Sequence, residues 1–326
     1  MGLVDGAIVY ANLLALLSLG LTITYITTAV PNFAQGSFAV FGSYVALTLL
    51  RLYGVHPYHS IPVAAIFGGL LGISVYVFVL RPLMRRGASG VILMISTLAL
   101  DLILLGAIGA YSEALRSFTG KATTKFIFTQ YDVSLRDVLG SLGLDSSSVP
   151  DVPGIFFVST LVIALLLVFL ATLLYKTKFG VALRASMENP ALAEVMGVNV
   201  ERTRLFSWLL SGSLAAIAGC LLPFRQEIVP ATGGIIIVSI FAASIVGGIF
   251  SLAGAVLGAY LIGLSESLLT YGLSQFFGAS LLLYSRVVSL TMLIATLAIA
   301  PKGIAGVRWR RWISSLTSRS GSGYTQ

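Results

Sequence analysis

Long apolar runs follow one another almost from end to end of this chain, at 7–28, 38–53, 61–80, 91–111, 155–175, 205–223, 235–250, 252–271 and 281–300. A helix needs about 20 mostly apolar residues to cross a hydrocarbon core. Hydrophobic residues make up 57% of the 326 and charged residues 10%, against about 25% charge in a soluble domain. So few charges cannot cover a water-facing surface, and lipid is the expected solvent. The runs lack the alternation of a lipid-facing barrel strand, so helices are the expected spans. The expected fold class is all-α, a polytopic membrane bundle of eight or nine transmembrane helices. The open point is 235–271, which reads as one kinked pass or as two passes separated by Gly247-Gly248 and Ser251.

The formal net charge of +8 is no nucleic-acid signature, because its distribution follows the spans. Arg81, Arg85 and Arg86 follow the third run. Lys176, Lys178, Arg184, Arg202 and Arg204 lie between the fifth and sixth, and Lys302, Arg308, Arg310, Arg311 and Arg319 follow the last. All three clusters are cytoplasmic if the chain crosses nine times with its N-terminus outside. Only Asp5 precedes the first run, without a basic n-region, so that run is expected to be a retained span. Cys220 is the one cysteine, which excludes an internal disulfide.

One membrane domain is expected over 1–311, with an extracytoplasmic loop at 112–154, a cytoplasmic segment at 180–204 and a flexible tail at 312–326. The loop is rich in Ser, Gly and Asp and too short for an independent core. His56 and His59 fall in a short outer loop and are expected to be solvated. Gly254-x-x-x-Gly258, Gly212-x-x-x-Ala216 and Ala215-x-x-x-Gly219 set small residues on single helix faces, where helices pack closely in lipid.

Three segments carry the mechanistic expectations. The first holds Pro31, Asn32, Gln35, Gly36 and Ser37, between two apolar runs with almost no polar spacer. Pro31 breaks a helix, and broken helices at membrane depth need protein or a water-filled cavity around them. The segment reads as a substrate-path lining or as a tight turn at the membrane surface.

The second is 184–197. Asn189 suits an N-cap, Pro190 the first helical position and Gly197 the position after the helix. A helix of about two turns, with Arg184, Glu188 and Glu194 around it, is marginal alone in water. Its apolar Leu192, Val195 and Met196 are therefore expected either in a groove on a partner or against the chain's own surface. The third segment type is the intramembrane charge: Asp101, Glu266 and Arg286. Each is costly in hydrocarbon, and Arg286 is expected to pair with Glu266 or Asp101, as a gate, a coupling element or a structural ion pair.

Gly120-Lys121-Ala122 lacks the earlier glycine and the following Ser/Thr of a phosphate loop. No His-Glu-x-x-His, Cys/His cluster or Gly-x-Ser-x-Gly occurs, so no enzyme activity, metal or cofactor is expected.

Several of these motifs resemble one family. Asn32-Phe33-Ala34-Gln35-Gly36-Ser37-Phe38, followed by Gly42-Ser43-Tyr44, looks like the signature of branched-chain amino acid ABC importer permeases of the LivH type. The likeness continues through Gly180-x-Ala182-x-Arg184-Ala185, Asn189-Pro190-x-x-Ala193-x-x-x-Gly197-Val198-Asn199, the stretch 211–219, and Val246-Gly247-Gly248 with Gly254-Ala255 and Gly258. Gln35 stands where the family usually has His, and 112–154 is longer than the family's usual outer loop. The resemblance implies an amino-acid permease subunit in a prokaryotic cell membrane. It implies a second permease subunit, ABC ATPase subunits docked on 184–197, and an extracytoplasmic substrate-binding protein. Sister permeases for urea or short amides share the pattern, and an ion-coupled secondary transporter is the alternative outside the family.

Overall fold

A computed structural model describes residues 2–134, 136, 152–278, 280, 284–300 and 303–306. The tail 312–326, the last basic cluster and much of the 112–154 loop lie outside these residues. The helices are α1 (Leu3–Thr28), α2 (Gln35–Tyr53), α3 (the rod Pro57–Arg85), α4 (Gly90–Thr119), α5 (Gly154–Lys176), α6 (Lys178–Glu188), α7 (Pro190–Val195), α8 (Val200–Leu221, continued by a 3-10 turn to Phe224), α9 (Thr232–Gly247), α10 (Leu252–Phe277) and α11 (Ser285–Ile299). Among the described residues, seven helices are long and apolar enough to cross a membrane: α1 to α5, α8 and α10. Two shorter apolar helices, α9 and α11, have 16 and 15 residues, or about 24 and 22 Å at 1.5 Å per residue. No strand occurs among the described residues; a single bridge pairs Phe126 with Ile228.

α1 is the central mast. It is apolar on every face, and a helix of that kind belongs inside. Its residues are buried almost without break from Val9 to Thr24, against α2, α5, α8, α9 and α10. The peripheral helices instead show apolar side chains outward, among them Leu102, Leu165, Val168, Leu257 and Ile294. Those faces suit lipid.

The small-residue motifs set the spacing. A Cβ at Gly212 would run into the backbone carbonyl of Gly68, and one at Gly72 into that of Trp208. α3 and α8 therefore touch backbone to backbone. Gly258 meets the backbone of Ala243 and Gly247, while Gly254 meets Gly247. This pairing makes α9 and α10 an antiparallel hairpin, so 235–271 is two helices and not one kinked pass. The turn bends at Gly248, whose φ of 111° an L side chain would rarely adopt. Within α3, residues Tyr76–Leu80 form one π turn. It ends two residues before Pro82, which has no N–H to donate.

The two described basic clusters share one end of the bundle. Glu201 pairs with Arg81, and with Arg85 at 3.1 Å, while Arg204 Nε donates to Thr27 O at 3.2 Å. The opposite end joins the α4–α5 connection to the α8–α9 loop through Lys125–Glu227 at 2.8 Å. His56 belongs there and is not merely solvated: its Nε2 lies 2.9 Å from Tyr131 O, and Tyr58 OH donates to Asp132 at 2.6 Å. His59 is exposed.

Candidate functional site

Three places hold the residues singled out by sequence. The first is the break between α1 and α2. α1 ends at Ala29, with φ of 54°, and the chain turns back along it before α2 starts. Gln35 Nε2 donates to Leu17 O at 3.3 Å, and Leu17 lies 11 residues before Thr28, or about 16 Å along the axis. α2 therefore begins deep inside the bundle rather than at its surface. Gln35 Oε1 accepts from Asn32 Nδ2 and from Ser211 Oγ, both at 3.0 Å. Asn32 Oδ1 accepts from Ala34 N at 3.1 Å. Thr97 Oγ1 donates to Pro31 O at 3.1 Å and accepts from Phe33 N at 3.3 Å. The freed backbone is thus satisfied by side chains. Gly20 on α1 leaves the room that the Gln35 amide fills, and Gly36 lies against the Gly233 backbone. Asn32, Gln35 and Ser37 are all buried, so in this conformation they are packed against other helices and face no open channel.

Asp101 is not Arg286's partner. Its Oδ1 accepts from Ser37 Oγ at 2.6 Å, and it stays half-buried on α4. The structure thereby joins one intramembrane charge to the broken segment.

The second place is the opposite end, where Arg286 pairs with Glu266. Glu266 is 3% exposed and accepts from Tyr10 OH at 3.2 Å, Ser239 Oγ at 2.8 Å and Ser289 Oγ at 2.6 Å. Tyr10 also lies under two guanidiniums, with Arg225 4.2 Å and Arg286 5.7 Å from its ring centre. The carboxylate's desolvation is offset by these donors. Sequence reasoning missed Tyr10, Arg225, Ser239 and Ser289, because they come from four separate elements and share no spacing.

The third place is the basic end. Thr177 caps α6, its Oγ1 accepting from Gly180 N at 3.2 Å. Gly180 lies against the Leu174 backbone, where a Cβ would clash, so the chain turns tightly out of α5. Arg184 stacks over Tyr175 at 5.3 Å. α7 then follows with both ends capped. Asn189 Oδ1 accepts from Leu192 N at 3.1 Å with Pro190 in the first turn. Gly197, at φ 84°, donates to Glu194 O at 3.0 Å, and Val198 N to Ala193 O at 2.9 Å. That pair of bonds is a Schellman motif. Ala193 is buried, but Leu192, Val195 and Met196 are 59%, 82% and 77% exposed. Glu188 and Glu194 are exposed beside them. Sequence anticipated α7 and its caps; α6 as a separate helix was not anticipated.

The family model for the permease component of the branched-chain amino acid transport system matches residues 3–297. The chain belongs to this family. The permease is 59% identical over 309 residues to the probable branched-chain amino acid transport permease protein LivH of Methanocaldococcus jannaschii, covering 95% of this chain and 93% of that one. It is 27% identical over 306 residues to the high-affinity branched-chain amino acid transport system permease protein LivH of Escherichia coli (strain K12), covering 90% and 91%. Identity is also 27% to the corresponding permease protein BraD of Pseudomonas aeruginosa, over 301 residues. The family resemblance read from the motifs is therefore correct, and the all-helical bundle agrees with it. A permease component moves a solute across a membrane, and among the described residues no group of His, Cys, Asp or Glu is placed to hold a metal.

Proposed function

We propose that this chain is the membrane permease subunit of an ATP-driven, binding-protein-dependent importer of branched-chain amino acids. Its family and the transport roles named for its relatives support the substrate class. In this reading the basic end is cytoplasmic, following the positive-inside rule, and the loop at 112–154 is extracytoplasmic. A second permease chain completes the path, a soluble binding protein delivers substrate outside, and ATPase subunits dock on α6 and α7.

The observation that carries the reading is the exposure of Leu192, Val195 and Met196 on a helix capped at both ends. Six residues do not hold a helix in water by propensity. The caps hold it, and what they present is an apolar tip beside acidic Glu188 and Glu194. A groove on a partner would cover that tip and transmit a push into α5 and α8. Arg184, Asn189, Pro190 and Gly197 set its direction. At the break, Asn32, Gln35, Gly36, Ser37 and Asp101 form a polar crossing between α1, α2, α4 and α8. We assign it the substrate path in the conformation where these helices part.

The test is reconstitution of permease, companion chain, ATPase and binding protein in proteoliposomes. Leu192→Glu and Met196→Glu are expected to insert normally yet cut ATP-driven leucine uptake about tenfold or more, the loss of an anchor worth over 1.4 kcal/mol. Undiminished uptake in both would overturn the docking role. Competition by urea in place of leucine would move the substrate to the short amides. Uptake by the permease alone on an ion gradient would overturn the ATP-driven reading.

A further inference from the structure

A cavity of about 450 Å³ opens at the end of the bundle opposite the basic clusters, beside the start of α1. Its wall includes Arg225, Glu266, Ser267, Thr270 and Arg286. Two guanidiniums thus share one carboxylate, and that carboxylate is already engaged by Arg286, Tyr10, Ser239 and Ser289. Arg225 is left with neutral partners: its Nε donates to Gly6 O at 3.1 Å and its Nη2 to Ser267 Oγ at 3.2 Å. Its Nη1 has no hydrogen-bond partner among the described residues. Thr270, 3% exposed, adds a buried hydroxyl that also has no partner among the described residues. Burial lowers the Arg225 pKa from its ordinary value, while Tyr10 and Glu266 pull it back up; an arginine keeps its proton throughout the physiological range.

We propose that this cavity binds the carboxylate of the transported amino acid, with Arg225 as the anchoring cation and Ser267 and Thr270 as hydroxyl donors. The inference rests on the amino-acid reading above and adds where the substrate is first held. A guanidinium presents a planar fork that fits a carboxylate. The volume falls within the usual range for small-molecule pockets, about 300–1,000 Å³. One net positive charge at the edge of a bilayer also calls for a counter-ion. Release from such a site is easy, because the anion meets a single uncompensated cation and no built cage.

The test places a thiol in the cavity through Ser267→Cys in the membrane assembly of both permease chains and the ATPase subunits, held in nanodiscs without ATP and without binding protein. Cys220 is buried and adds little background. Modification of the permease chain is followed by mass with a sulfonate-bearing and a trimethylammonium-bearing methanethiosulfonate, each rate normalised to that reagent's rate with free cysteine. The anionic reagent is expected to react about tenfold faster, the enrichment a one-sign cleft produces. Leucine is expected to slow it, and leucinamide or chloride is not. Arg225→Gln is expected to abolish the preference. Equal rates, or protection by chloride as strong as by leucine, would overturn the proposal, as would protection by substrate-free binding protein alone, which would make the cluster a protein-docking point. If Arg225→Gln fails to assemble, leucine protection of the Ser267→Cys protein still decides. Leucine uptake by the unsubstituted assembly is measured alongside: its absence would sink the amino-acid reading, whereas uptake without anion preference sinks this inference only.

Discussion

At the scale of single residues, the molecule handles each buried polar group by surrounding it with donors or acceptors from several helices. Glu266 is the clearest case. Removing Arg286 would leave its buried carboxylate without its ion-pair partner, with only the more distant Arg225 as a counter-charge, so Arg286→Ala is expected to cost about 3–5 kcal/mol, read as a lower unfolding midpoint in detergent. The double replacement Glu266→Met with Arg286→Met is expected to recover most of that loss. A single change as harmful as predicted, combined with a double change that is worse still, would mean the pair does more than neutralise itself. Gln35 is the neutral counterpart. Gln35→Ala strips an acceptor from both Asn32 and Ser211 and is expected to cost about 1–3 kcal/mol. Leucine uptake in assembled transporter should fall or change selectivity with it. Unchanged stability and unchanged kinetics would remove the segment from both roles.

Among elements, contact distance is set by glycine. α3 and α8 meet where Gly68, Gly72 and Gly212 leave no space for a side chain. Gly212→Leu must drive them apart, with an expected loss of about 1–3 kcal/mol from overpacking; an unaltered midpoint would contradict the backbone contact. Much at this scale was legible in the sequence. Runs of about 20 apolar residues announce spans because hydrocarbon thickness dictates their length. Pro31 announced a break, and Asn189-Pro190 with Gly197 announced a capped short helix, since caps are local chemistry. What stayed hidden depends on contacts between distant segments. Nothing local tells that Asp101 turns to Ser37 and leaves Arg286 to Glu266. Tyr10, Ser239 and Ser289 carry no spacing signal, because the site exists only after α1, α9, α10 and α11 have packed. The depth of the break was open for the same reason: only the Gln35 contact with Leu17 shows where α2 begins.

For the whole molecule, the two ends do different things. One end carries the basic clusters and the exposed tip of α7. The other carries the Glu266–Arg286 pair, the cavity and the loop that continues from α4. Between them α1 runs buried through the centre, touching α2, α5, α8, α9 and α10, so a displacement at one end has a continuous packed route to the other. In the proposed reading, the driving force is applied at that tip. The most direct measurement is the reactivity of Met196→Cys toward a membrane-impermeant thiol reagent, in permease alone and in the full assembly, applied from either side of the membrane. The expected result is labelling from the cytoplasmic side only, strongly suppressed once the ATPase subunits are bound. Labelling from the outside, or labelling that assembly leaves unchanged, would contradict the account.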